Sequence, residues 1–174
     1  MKRILTPELL DSDSGTPAEV AASLGDLRRI NRWFGGLATS EEMVHRIAGE
    51  INVSSLSLLE VAAGSGFVPQ ATRDWLRKRG VHLDVTLLDR APSHLGGGNH
   101  AVAGDALALP FRDASFDLVS CNLFAHHLSP EEFVRFVDEG QAGSLLHDQH
   151  DASRAPVAPE QRPLGRAGDV ERFE

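Results

Sequence analysis

Leu58-Leu59-Glu60-Val61-Ala62-Ala63-Gly64-Ser65-Gly66 is the stretch on which the fold turns. The run LSLLEVA at 56–62 reads as a buried strand that carries an acid near its end and enters a tight loop of small residues. A helix is predicted behind the loop, from Pro69 to Arg79, with Trp75 and Leu76 inward. Arg73, Arg77, Lys78 and Arg79 suit its C-terminal end, and Gly80 stops it. Small residues let backbone approach a ligand closely, and a helix N-terminus offers free amides. Taken alone, a strand-to-helix turn that binds nothing has the same form.

Three further strands are predicted downstream: VHLDVTLLD at 81–89, HAVAGDA at 100–106 and FDLVSCN at 116–122. Strand, helix, strand in this order implies parallel pairing with right-handed crossovers, so the fold class is α/β, a doubly wound parallel sheet. Glu60, Asp89 and Asp105 then fall at three successive strand ends, on the carboxyl edge where such sheets bind ligands. Asp89 takes the place where a doubly wound fold sets a carboxylate on ribose hydroxyls. A single acid there is an ordinary turn residue; three in register are a site.

The flanks differ in texture. Residues 1–50 read as an N-terminal helical segment. Thr16-Pro17-Ala18-Glu19 is a capping box with proline at the first helical position, and Val20, Leu24, Leu27 and Ile30 follow at helical spacing. A second helix is predicted from Ser40, with Val44, Ile47 and Ala48 on one face. Arg32-Trp33-Phe34-Gly35-Gly36 lies between the two. Residues 51–140 form the core, closed by a capping box at Ser129-Pro130-Glu131-Glu132 and a helix carrying Phe133, Val134, Phe136 and Val137. After Gly140 the pattern fails. GSLLHD at 143–148 is at most a stunted strand, and 151–174 has only Val157, Leu164, Val170 and Phe173 as large apolars, broken by Pro156, Pro159 and Pro163. Residues 141–174 are therefore expected to be a disordered tail.

Composition narrows the partners. The 174 residues carry 17 Lys+Arg against 25 Asp+Glu, a net charge of −8. That balance argues against nucleic acid as a partner, since phosphate binding needs a basic footprint. No run approaches the roughly 18 apolar residues of a membrane span. The N-terminus lacks the apolar stretch of a secretory signal, and the single Cys121 has no partner for a disulfide, so a cytoplasmic location is expected.

With these residues in place, the chain resembles the class I S-adenosylmethionine-dependent methyltransferases. The likeness covers about residues 56–139. It rests on the acid-led loop Glu60–Gly66, Asp89, Gly104-Asp105-Ala106, and Leu109-Pro110-Phe111-Arg112-Asp113-Ala114-Ser115-Phe116-Asp117-Leu118-Val119. The resemblance implies S-adenosylmethionine as cofactor. Glu60 would help hold the methionine ammonium, and the loop through Ala62, Gly64 and Gly66 would pack on the cofactor. Asp89, with Arg90 beside it, would take the ribose hydroxyls. Asp105 would accept from the adenine amino group, with the Ala106 backbone alongside, and Asn122 would lie by the methionine end. A cofactor with a sulfonium and an ammonium suits a carboxylate-lined site, whereas a pyrophosphate wants donors. The runner-up, an NAD-binding oxidoreductase, asks for G-x-G-x-x-G, but Pro69 stands where its third glycine belongs.

The implied activity is methyl transfer to a small-molecule acceptor; the competing reading is an inactive remnant that binds cofactor or another protein. The family's first loop glycine is Ala62 here. The family's sheet has seven strands and four are legible, so the chain reads as C-terminally truncated, with an exposed outer edge on strand four through which it would self-associate. His126 and His127 follow that strand and are candidates for a general base, although methyl transfer needs mainly a held in-line geometry. The plainer reading makes them a polar lip of the cleft. Cys121 reads as a small buried hydrophobe. His147 and His150 have ligand-like spacing, but no metal site is expected in the polar tail. Trp33 and Phe34 are read either as part of a lid over the cofactor or as packing within the helical hairpin.

Overall fold

The computed structural model describes residues 10, 15–95 and 100–144. Thr16 caps the first helix, α1 (Pro17–Trp33): its Oγ1 accepts from the Glu19 N–H while Glu19 Oε2 accepts from the Thr16 N–H at 2.8 Å. The second helix, α2 (Gly36–Glu50), begins ahead of the expected Ser40. Gly35 adopts a left-handed conformation and serves as its N-cap, so the glycine pair starts the helix rather than separating it from α1.

Four strands follow: β1 (Ser55–Val61), β2 (His82–Asp89), β3 (Ala101–Ala103) and β4 (Leu118–Cys121). All pairs are parallel, in the order β3-β2-β1-β4. Pleating sorts the side chains of β1 to two faces. Leu56 and Leu58 pack with Val44 and Ala48 of α2, Leu76 of α3 (Phe67–Arg77), and Leu83, Val85 and Leu87 of β2. Leu59 and Val61 pack on the other side with Leu88, Leu109, Phe111, Phe116 and Phe136. The predicted doubly wound sheet is therefore present, with a core on each face.

Several boundaries differ from the sequence reading. Helix α3 starts at Phe67, with Pro69 inside its first turn, where the missing N–H would have had no intrahelical partner anyway. Trp75 is half-buried, under the Arg79 guanidinium at 3.4 Å from the ring centroid. β3 ends at Ala103, so Asp105 lies in the loop beyond it. The last helix, α4 (Pro130–Gly143), runs past the expected stop at Gly140. Gly140 and Gly143 face Val119, at a distance where a Cβ on either would make ordinary van der Waals contact. The core thus reaches Ser144, beyond the expected boundary at residue 140; residues 145–174, with the expected tail, the stunted strand and both His147 and His150, lie outside the described residues.

Asp117 fixes β4 in register. Its Oδ2 accepts from the Ser57 N–H at 2.7 Å and the Ser57 hydroxyl at 2.8 Å, and its own N–H donates back to Ser57 Oγ at 2.9 Å. The outer edge of β4 is partly taken: Ala114 and Phe116 N–H groups donate to the Ala142 and Gly143 carbonyls, and Phe116 and Ser144 form a parallel bridge. Beyond that start, Leu118–Cys121 pair only with β1 among the described residues.

Candidate functional site

The chain steps outward from β1 to β2 to β3, then returns to the other side of β1 for β4. The order reverses between β1 and β4, and doubly wound sheets bind ligands beyond the carboxyl ends of the strands at such a point. Glu60 sits at this point. It is 2% exposed, and β4 supplies its partners: Ser120 Oγ donates to Oε2, and Asn122 Nδ2 donates to Oε1 at 2.8 Å. Burial pushes the Glu60 carboxyl above the usual value of 4.5, and the Ser120 and Asn122 contacts oppose that rise. Burial, aided by the Glu60 charge, also pushes the half-buried Cys121 thiol up to about 11, so it remains an unreactive thiol at neutral pH.

The sign of the Glu60 shift gives a prediction. The folded chain holds this proton more tightly than the unfolded chain, so stability falls as pH rises from 4.5 through the folded pKa. Glu60→Gln stays neutral throughout. Its urea midpoint is expected to exceed the parent's at about pH 8 and to converge with it near pH 4.5. Parallel pH profiles for the two proteins would refute the assignment.

The loop after β1 takes its shape from alternating left-handed residues, Ala62 (φ 53°), Gly64 (φ 52°) and Gly66 (φ 67°). At Ala62 a side chain occupies a conformation that glycine adopts freely, a small local strain. At Gly66 a Cβ would collide with Leu87, so only glycine fits.

Asp89 fastens this loop to β2. Its Oδ2 accepts from the Gly64 N–H at 2.8 Å, and its Oδ1 accepts from the Ala91 N–H at 3.0 Å, with His94 Nδ1 at 3.3 Å. The side chain is 9% exposed. Asp105 is exposed and folds its own loop, Oδ1 accepting from the Leu107 N–H at 2.9 Å, while Ala106 packs into the core. Arg90 is exposed.

His126 and His127 occupy a single 3-10 turn, Ala125–His127, just past Asn122. Their ring centroids are 3.9 Å apart, and His127 stacks on Phe124. Between them and Asn122, Leu123 holds a left-handed backbone (φ 58°) and is 48% exposed. Trp33 and Phe34 are 77% and 82% exposed, so they do not pack within the helical hairpin.

The structure therefore joins Glu60 to Asn122, and Asp89 to the loop. Sequence reasoning missed Ser120 and His94. Ser120 did leave a signal, as a polar residue inside the apolar run of β4; His94 left none.

Residues 59–140 match the family model described as methyltransferase domain. A curated relative, the Probable ribosomal RNA small subunit methyltransferase A of Methanospirillum hungatei, is 31% identical over 135 residues, covering 74% of this chain and 52% of its own length. The chain thus spans about half the length of that relative. Among solved structures, 1,6-didemethyltoxoflavin-N1-methyltransferase of Burkholderia thailandensis, with bound 1,6-didemethyltoxoflavin and S-adenosylhomocysteine, superposes with a TM-score of 0.51 at 15% identity, over 82% of this chain and 62% of its own. A Methanococcus maripaludis protein assigned as an S-adenosyl-L-methionine-dependent methyltransferase superposes with a TM-score of 0.50 at 12% identity, over 70% and 57%. At these identities both speak to the fold.

Proposed function

We propose that this chain, whose residues 59–140 match the methyltransferase domain family model, binds S-adenosylmethionine at the carboxyl edge of its sheet and transfers the methyl group to a small-molecule acceptor. The observation that carries the reading is the reversal of strand order between β1 and β4, with a buried carboxylate and a left-handed loop at the carboxyl end of β1.

The donor set fits such a cofactor. A carboxylate offers about four lone-pair positions, and the contacts described leave capacity on both Glu60 and Asp89. Glu60 would face the ammonium, Asp89 and Arg90 the ribose, and Asp105 and Ala106 the adenine, with Ala62, Gly64 and Gly66 giving close backbone approach. Asn122, tied to Glu60, would lie by the methionine end. When bound, the cofactor supplies a methyl group on a positively charged sulfur that a nucleophile displaces in line. The chain's part is to hold both reactants in that line and keep the acceptor's lone pair free. In this reading His126 or His127 accepts the proton of a hydroxyl acceptor, and Trp33 and Phe34 belong to a lid over the cofactor.

The net charge of −8 favours a small acceptor over a polyanion. The likeness to a ribosomal RNA methyltransferase supports the second reading, an RNA acceptor. Transfer of labelled methyl to a metabolite extract, with RNA in a parallel reaction, separates the two. Label in metabolites is expected; label in RNA alone would move the acceptor to the second reading, and label in neither would leave a binding remnant. For an oxygen acceptor, His126→Gln or His127→Gln should lower the transfer rate by roughly 100-fold or more while affinity for S-adenosylhomocysteine stays unchanged. A rate undiminished in both variants would exclude the pair as bases.

A further inference from the structure

Leu24, Arg28 and Arg32 recur four residues apart on one face of α1, and that face rests on the loop after β1. A Cβ on Gly64 would lie 3.2 Å from Leu24 Cδ2. The Arg28 and Arg32 guanidinium carbons lie 5.3 and 5.6 Å from the centroid of the Phe67 ring, at the first residue of α3. Two cations four residues apart on a helix repel each other, and the ring attracts both without neutralising either. Among the described residues, no ion pair joins Arg28 or Arg32 to a carboxylate. Both arginines are exposed, so their heads can turn to a ligand. The arrangement therefore gathers two positive charges, neither in an ion pair among the described residues, over a loop whose preceding strand carries the buried Glu60.

An α-amino acid group is a zwitterion, and the loop has an acid on one flank and this cationic pair on the other. We propose that Arg28 and Arg32 bind the α-carboxylate of the amino-acid end of the cofactor, making α1 part of the binding site. The inference rests on the S-adenosylmethionine reading above. A planar guanidinium matches a carboxylate with two parallel hydrogen bonds, and two of them would offset the repulsion within the pair.

The test is calorimetric titration with S-adenosylhomocysteine and with its methyl ester, which keeps the ammonium and loses the carboxylate charge. The proteins are the parent, the double variant Arg28→Gln/Arg32→Gln, and Arg28→Lys/Arg32→Lys. The parent is expected to prefer the free acid by roughly 10- to 100-fold. The glutamine variant is expected to bind acid and ester alike, and the lysine variant to fall between. Glutamine keeps the stem and the helix propensity, and helical circular dichroism confirms the fold. An undiminished preference in the glutamine variant, or no preference in the parent, would overturn the proposal. A parent that binds neither ligand would overturn the cofactor reading itself, and this inference with it.

Discussion

Phe116→Ala is expected to destabilise the chain by about 3–5 kcal/mol. Phe116 is 1% exposed and meets Phe111 edge-on at 5.0 Å between centroids, within the cluster that holds Leu59, Val61 and Phe136. Removing the ring leaves a cavity that β1, β4 and α4 all line and that none can close alone. Its backbone N–H also ties the start of β4 to Gly143, so the loss falls where the strand is anchored on that side. Small domains have only about 5–15 kcal/mol in total, so this substitution consumes much of the stability. Urea unfolding monitored by circular dichroism reads the change in midpoint at unchanged slope. A loss below about 1.5 kcal/mol would mean that the cavity collapses, and that the cluster is looser than these contacts imply.

Asp89→Ala acts on the fold and the site together. Its carboxylate holds Gly64 and Ala91 through their amides and has His94 beside it, in a nearly closed setting. Hydrogen bonds to a charged group contribute roughly 1.5–3 kcal/mol each, with partial relaxation, so a stability loss of about 2–4 kcal/mol is expected. The loop after β1 loses its tie to β2, and on the proposed reading the ribose contact goes with it. Affinity for S-adenosylhomocysteine should fall more than tenfold, as for any loss beyond about 1.4 kcal/mol. Asp89→Asn keeps one carbonyl acceptor but sets its NH2 against the other backbone N–H, so it should recover only part of the stability and part of the affinity. Unfolding and calorimetry on the same samples separate the effects; full affinity in the alanine variant would remove Asp89 from the binding site.

What the sequence determined by itself was local. The two capping boxes, at Thr16 and Ser129, are written in four residues each, and both helices start where those residues say. The strands were legible because a parallel strand buried on both faces is a continuous apolar run, and the order of elements implied the pairing. Glu60 and Asp89 were legible as acids at strand ends. The remaining features depend on partners far apart in the chain. That Ser120 and Asn122 hold Glu60 follows from the register of β1 on β4, which Ser57 and Asp117 lock. That Asp89 grips Gly64 requires the β1 loop to fold back over β2. That α4 continues past Gly140 depends on how the helix lies against Val119 of β4, which helix propensity does not record. The placing of Arg28 and Arg32 over Phe67 is likewise a matter of how α1 docks. Periodicity reports which face of an element is apolar, and the energy that chooses its neighbour arises only when the faces meet.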